Sequence, residues 1–312
     1  MSNQKKTDNR ETVDHKATTK DSLMLGIKTE PCLESPSKPD DRILNKTMQQ
    51  SSKSCPREYF VTDDDARRYI RHCAVAALLL AVGYVLFIAE FISPLVLFAI
   101  VAVTLPRWII NLHELLHIRN DKQINSVIGC LGISPIPLSL FTLSYKEIRQ
   151  IHLAHHREPA TSSDPDSYHI RGNFFLVIFN ALTAPEQSFI RFLAVNGFNL
   201  QLGLHLLIKL LLLGILVGLG GAKFLWFWLF LRIVYGLGDI VFFRFVHHKQ
   251  GKYGTFEIKC PDILSRWGER IFGETVIQAT VNHDVHHQNS GIAARYLAMA
   301  RPYIINIAST SN

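Results

Sequence analysis

Four stretches of this 312-residue chain are apolar enough, for long enough, to cross the roughly 30 Å hydrocarbon core of a bilayer. They run from Cys73 to Ala89, Phe91 to Ile110, Leu202 to Leu219 and Phe224 to Val246, the first only just sufficient in length. Such segments must satisfy their own backbone groups, which a helix does within itself. Glu90 joins the first pair, and Gly220, Gly221 and Lys223 join the second, connections so short that each pair must form a hairpin. The expected fold is therefore an all-α integral membrane protein of two transmembrane helical hairpins. Nearly all Lys and Arg lie in three places: the N-terminal stretch, a central segment from Asn111 to Asn199, and the chain after Val246. The positive-inside rule places those three on the cytoplasmic side, where they would form a helical cap. Two weaker apolar runs, Val127 to Phe141 with Pro135 and Pro137, and Phe174 to Val195 broken by Pro185, Glu186 and Arg191, read as interfacial or re-entrant.

Residues 1–68 are polar and poor in aromatics, so they cannot bury enough surface to offset the entropy of ordering. They read as a disordered tail before a membrane domain spanning 69–312. No apolar run follows Met1, so no cleavable secretory signal is expected, and Asp8, Glu11 and Asp14 fit a transit peptide poorly. The first apolar helix would then act as the targeting signal. Five cysteines, Cys32, Cys55, Cys73, Cys130 and Cys260, show no CxxC pairing, which argues against a disulfide scaffold, an iron–sulfur site or a zinc ribbon. The net charge of +7 does not point to nucleic acid, because the bases mix with acids in the tail and flank apolar segments elsewhere. A membrane surface or an acidic redox partner is the better counterpart.

Eight of the fourteen histidines fall into three clusters. The first is His113-Glu114-Leu115-Leu116-His117, just beyond the second apolar run; the second is His152-Leu153-Ala154-His155-His156; the third is His283-Asp284-Val285-His286-His287. On a helix, positions i, i+3 and i+4 share a face, so each cluster projects its imidazoles in one direction. A single HxxHH arises by chance on the order of 0.03 times in a chain with this histidine content, so two copies beside an HxxxH point to metal. Neutral imidazole suits iron, zinc and copper. Histidines that share a metal must also share a side of the membrane, which rules out an extra crossing between the clusters.

An HxxxH box followed by two HxxHH boxes, set around two membrane hairpins, resembles the membrane fatty-acid-desaturase and hydroxylase family, over roughly Tyr84 to His287. The run His156-Arg157-Glu158-Pro159 followed by Asp164-Pro165-Asp166 is similar to small bacterial-type desaturases and carotenoid ketolases. The third box departs from the pattern, since Gln288-Asn289-Ser290-Gly291 stands where relatives often place a proline. The resemblance implies two irons held by His113, His117, His152, His155, His156, His283, His286 and His287, with O2 as cosubstrate oxidising an unactivated C–H bond. It implies a lipid substrate, either a fatty acyl chain for desaturation or a carotenoid or lipid for ketolation or hydroxylation. An extra ligand often comes from the end of the fourth membrane helix, where His247 and His248 stand. No fused His-Pro-Gly-Gly element or CxxC cluster is present, so electrons would come from an external donor such as ferredoxin or cytochrome b5.

Glu114, Asp164, Asp166 and Asp284 stand where carboxylates could orient the ligands' free N–H groups, although Asp164-Pro165-Asp166 also reads as a turn. Arg232, Tyr235 and Asp239 share a face of the fourth apolar run and should face protein or a cavity, while Lys209 and His205 are placed to snorkel. His169 and His205, outside the boxes, are expected to be dispensable. The first box also satisfies H-E-x-x-H, the signature of an intramembrane zinc metalloprotease, but that chemistry does not need six further box histidines. A histidine-rich metal transporter would place its ligands within the membrane helices instead of beyond their ends.

Overall fold

A computed structural model describes residues 55–308. The disorder expected of residues 1–54 lies outside these, whereas residues 55–68 are folded. Helix α1 (Asp63–Ile88) starts ten residues before the apolar run. Thr62 closes a capping box with Asp65, and Asp63, Asp64 and Asp65 place negative charge on the first turn, which favours a helix start ahead of the membrane. The segment before it is tied by backbone bonds from Val61 N to Gly291 O (2.9 Å) and from Ala293 N to Tyr59 O (2.9 Å). The chain that follows the third histidine box therefore holds the segment before α1, a long-range pairing with no local signal.

Helix α2 (Pro94–Ile118) opens on the Ser93 cap with Pro94 in its first turn. It continues past Ile110, so the first histidine box lies in the last two turns of the membrane helix, not beyond it. Helix α3 (Ser126–Leu131) is short and ends at Gly132, whose φ is 70°. Helix α4 (Tyr145–Arg157) carries the second box, and α5 (Ser167–Ile170) is a single turn. Two short helices follow, α6 (Phe174–Leu182) and α7 (Ala184–Asn196), the second with Pro185 in its first turn. Neither is long enough to span a bilayer, in keeping with the break at Pro185 and Glu186.

Helices α8 (Leu200–Gly220) and α9 (Ala222–Asp239) form the second hairpin, and α9 runs on through a π-turn over Ile240–Phe245. A two-stranded hairpin follows, β1 (His248–Lys249) with β2 (Lys252–Tyr253). The chain ends in α10 (Asp262–Phe272), α11 (Glu274–Val281), α12 (His283–Gln288) and α13 (Leu297–Ala308).

Among the described residues four helices are long and apolar enough to cross a membrane: Asp63–Ile88, Pro94–Ile118, Leu200–Gly220 and Ala222–Phe245. At 1.5 Å per residue even the shortest reaches about 31 Å, which matches the hydrocarbon thickness. The two hairpin turns meet at one end of the bundle. Lys223 Nζ donates to Glu90 Oε1 (2.7 Å) and to the Ile88 carbonyl (2.9 Å). Tyr84 donates to the Leu216 carbonyl (2.5 Å) and stacks on Phe227 with ring centroids 4.7 Å apart. A Cβ on Gly220 would overlap the Tyr84 hydroxyl, so only glycine permits this approach. The core between α1, α2 and α9 is apolar, built on Leu80, Leu97, Val101, Leu105, Phe227 and Leu231. Lys209 does not snorkel: it is 1% exposed, and its ammonium donates to the Thr142 carbonyl. Arg232 pairs with Glu186 (2.9 Å) and the Leu182 carbonyl (2.9 Å), locking α9 to the break between α6 and α7.

Candidate metal centre

The histidines converge at the end of the bundle opposite those turns. The last turns of α2 supply His113 and His117, α4 supplies His152, His155 and His156, α12 supplies His283, His286 and His287, and the end of α9 supplies His247. Their ring nitrogens gather into two groups, within each of which the donor atoms all lie within 4.8 Å of one another. One group is His113, His117, His152, His156 and His286; the other is His155, His247, His283 and His287. All eight box histidines are thus brought together, and the pair at the end of the fourth helix is divided. His247 is fully buried and joins the second group, while His248 turns away and packs at a tilt against Tyr253 with centroids 4.9 Å apart.

The spacing within the groups bears on what they could hold. His117 Nε2 lies 2.9 Å from His152 Nε2 and 3.0 Å from His286 Nε2, and His287 Nε2 lies 3.0 Å from His283 Nε2. Nitrogens about 2.1 Å from a common ion and at right angles would be about 3.0 Å apart, against about 3.4 Å for a tetrahedral pair. The Nε2 atoms of His113, His156 and His247 are buried without any hydrogen-bond partner. Orphaned ring nitrogens in a buried site are costly unless something unseen satisfies them, and a cation coordinated by neutral imidazoles does so. The donor set therefore fits metal at both groups.

Neutral rings are also what the surroundings favour. Burial, and then the charge of neighbouring histidines, pushes His152, His156, His283 and His287 well below the ordinary histidine value. Burial likewise brings His247 and His286 down to about 3. Metal ligation needs the unprotonated ring, so these pockets are suited to it.

Polar groups behind the rings fix their orientation. His113 Nδ1 donates to Glu114 Oε1 (3.0 Å), and the same oxygen is 3.8 Å from His286 Nδ1. His155 Nδ1 donates to Asp164 Oδ2 (2.8 Å), and Asp166 N donates to Asp164 Oδ1 (2.8 Å). The Asp164-Pro165-Asp166 run is thus both a turn and a support for His155. His247 Nδ1 donates to the Gly254 carbonyl (3.0 Å). Asp284 is engaged elsewhere: both terminal nitrogens of Arg301 bond it, at 2.8 and 2.9 Å, which ties α12 to α13. Asp166 is buried in a group with His155 and Asp164 and reaches a cavity wall.

That cavity, of about 120 Å³, runs beside His113 and His152. Ile109, Leu112, Leu116, Ile151, Phe242 and Phe243 make its apolar walls, and Asp166, His169, Ser188 and Tyr235 a polar side. His169 Nδ1 donates to Asp239 Oδ1 (2.9 Å), and its ring stacks on Phe243 with centroids 4.7 Å apart. His169 is therefore part of the wall beside the histidine groups, not the detached residue its sequence position suggests. The Gly254 carbonyl carries no sequence signal, and the His169–Asp239 pair joins residues seventy positions apart. No family model, curated protein or solved structure matches the chain.

Proposed function

We propose that the chain is an O2-dependent membrane oxidoreductase with a di-iron centre, oxidising an unactivated C–H bond of a lipid, foremost by desaturating a fatty acyl chain. The observation that carries this reading is the convergence of nine histidines into a group of five and a group of four, with buried nitrogens that meet no protein partner. Five donors around one point exceed the four that zinc takes in structural sites, and right-angle spacing suits six-coordinate iron. Bound iron would supply the redox chemistry with O2 that amino-acid side chains lack. His113, His117, His152, His156 and His286 would hold one ion, and His155, His247, His283 and His287 the other. Glu114, Asp164 and the Gly254 carbonyl hold the rings of His113, His155 and His247 in the tautomer that turns Nε2 towards the metals. The apolar walls around Leu112, Ile151 and Phe242 would seat a hydrocarbon segment beside the first group and keep bulk water out.

The positive-inside distribution puts this centre on the cytoplasmic side, within reach of an external electron donor such as ferredoxin or cytochrome b5. A second reading within the same chemistry, ketolation or hydroxylation of a lipid or carotenoid, is favoured by one feature. The polar side of the cavity could accept a substrate that already bears oxygen. The protease reading gives Glu114 the role of a base, whereas here its carboxylate accepts from His113. Expression in a host of known lipid content, with mass spectrometry of the lipids and metal analysis of the purified protein, tests the proposal. About two irons per chain and new double bonds are expected from the two histidine groups. An active preparation with one zinc and no iron would return the reading to a metalloprotease.

A further inference from the structure

We infer that the β1–β2 hairpin is the docking face for a small acidic one-electron carrier, and a short way in to the metal groups. This inference rests on the proposed redox function and adds the place where electrons arrive. His247 ends α9 inside the second group, and the very next residue, His248, opens the hairpin. The hairpin returns through Tyr253, paired in register with His248 and packed against its ring at a tilt of 48°. Tyr253 is 40% exposed, and Gly254 beside it accepts the Nδ1 hydrogen of His247 (3.0 Å). One peptide link and one hydrogen bond thus separate a surface aromatic ring from a histidine of the buried group.

The charge around that ring has one sign. From Arg244 to Cys260 the chain carries Arg244, Lys249, Lys252 and Lys259 against a single acid, Glu257, which Arg301 engages at 3.3 Å. Lys249 and Lys252 are exposed at the hairpin tip, and neither has an ion-pair partner among the described residues. Arg171 adds a further cation, its guanidinium 4.7 Å from the centre of the Tyr253 ring. The tip turns through Gln250 and Gly251, both at positive φ (51° and 79°), so it projects Lys249 and Lys252 side by side from a fixed turn. An exposed ring within a collar of unpaired cations suits an acidic carrier in a brief, salt-sensitive encounter, the usual form of electron-transfer complexes.

The test uses the full chain in lipid nanodiscs and two probes, a plant-type [2Fe–2S] ferredoxin and the soluble haem domain of cytochrome b5. Binding of each carrier is measured on metal-free protein by surface plasmon resonance at low and high salt. Reoxidation of the reduced carrier by iron-loaded protein is then followed anaerobically in a stopped-flow instrument. The Lys249→Glu/Lys252→Glu double variant should lower the association rate about tenfold at low salt, with the difference shrinking as salt rises. Tyr253→Leu should slow carrier reoxidation while leaving reduction by dithionite unchanged. An Arg67→Glu/Arg71→Glu control on α1, with the same change in net charge, should stay within about twofold of the parent. Failure of both carriers to bind the parent overturns the inference, as does an equal loss in the hairpin and control variants. Because binding is read on metal-free protein, a chain that never takes up iron would refute the proposed function without deciding where a carrier docks.

Discussion

His155 donates its Nδ1 hydrogen to Asp164 across 2.8 Å, and that carboxylate also accepts the backbone N–H of Ala160 at 2.7 Å and of Asp166 at 2.8 Å. Burial alone would raise the Asp164 pKa, but the bond from His155 and the two backbone donors overcome it and hold the carboxyl below its ordinary value. A charged Asp164 fixes His155 with Nε2 as the free nitrogen and makes that nitrogen a better donor to a cation. Asp164→Asn keeps the size and removes the charge. Metal affinity at the second histidine group should fall about 10–100-fold, read by competition with a chelator, while membrane insertion is unchanged. Parent-like affinity would show that Asp164 only closes a turn.

The two histidines at the end of α9 should separate cleanly. His247→Ala removes one of four donors in the second group, and bound iron should fall from about two to about one per chain. His248→Ala should retain both ions, because its ring lies against Tyr253 outside either group. Elemental analysis at matched protein levels decides between them. Loss of iron in the His248 variant would contradict the geometry.

Asp284 sits inside the third box but works as an anchor. Its side chain is 11% exposed and bridged twice by Arg301, itself 22% exposed. Asp284→Asn should cost about 2 kcal/mol of stability, because a mostly buried guanidinium loses the nearer of its two carboxylate partners and keeps only Glu257 at 3.3 Å. It should leave the metal affinity per folded molecule close to the parent. Thermal melts of the metal-free and metal-loaded protein separate the two effects.

Much of this arrangement could be read from the residues because it follows local rules. The four spans follow from length and apolarity, and the three boxes from the helical i, i+3, i+4 spacing. The interrupted run at Pro185 and Glu186 is likewise two short helices. What could not be read depends on residues far apart in sequence. The start of α1 was hidden by Arg67, Arg68 and Arg71, whose polarity outweighs a capping box in any hydropathy window. The order of residues 55–62 depends on backbone bonds to Gly291 and Ala293. The choice of His247 over His248 depends on a backbone carbonyl at Gly254, and carbonyls have no letter in the sequence. Asp284 inside the third box and Asp164 after the second both read as carboxylates that could orient a ring, yet only the fold shows that Arg301 claims the first.

His169 gives the last prediction, and it reverses what its position outside the boxes suggests. Burial disfavours a charged ring there, but the charge and hydrogen bond of Asp239, with Asp166 nearby and Arg191 opposing, outweigh it and raise the His169 pKa above 6.5. A raised pKa in the folded state means the pair stabilises the protein fully below about pH 6.5 and loses that contribution as pH climbs through the folded value. The stability gap between the parent and His169→Gln should therefore narrow on going from pH 6 to pH 9. Urea titrations of metal-free protein at each pH measure it, and a gap that widens would mean the ring is neutral throughout. His169→Ala should cost more, about 3 kcal/mol at pH 6, since Asp239 is left buried with neither oxygen partnered. Adding Asp239→Asn to His169→Ala should recover part of that loss by removing the stranded charge. Product analysis of the double variant then isolates what the cavity wall contributes. If restored stability brings back the parent's products at the parent's rate, His169 supports the fold alone; if iron is retained but the products change, its ring helps to position the substrate beside His113 and His152.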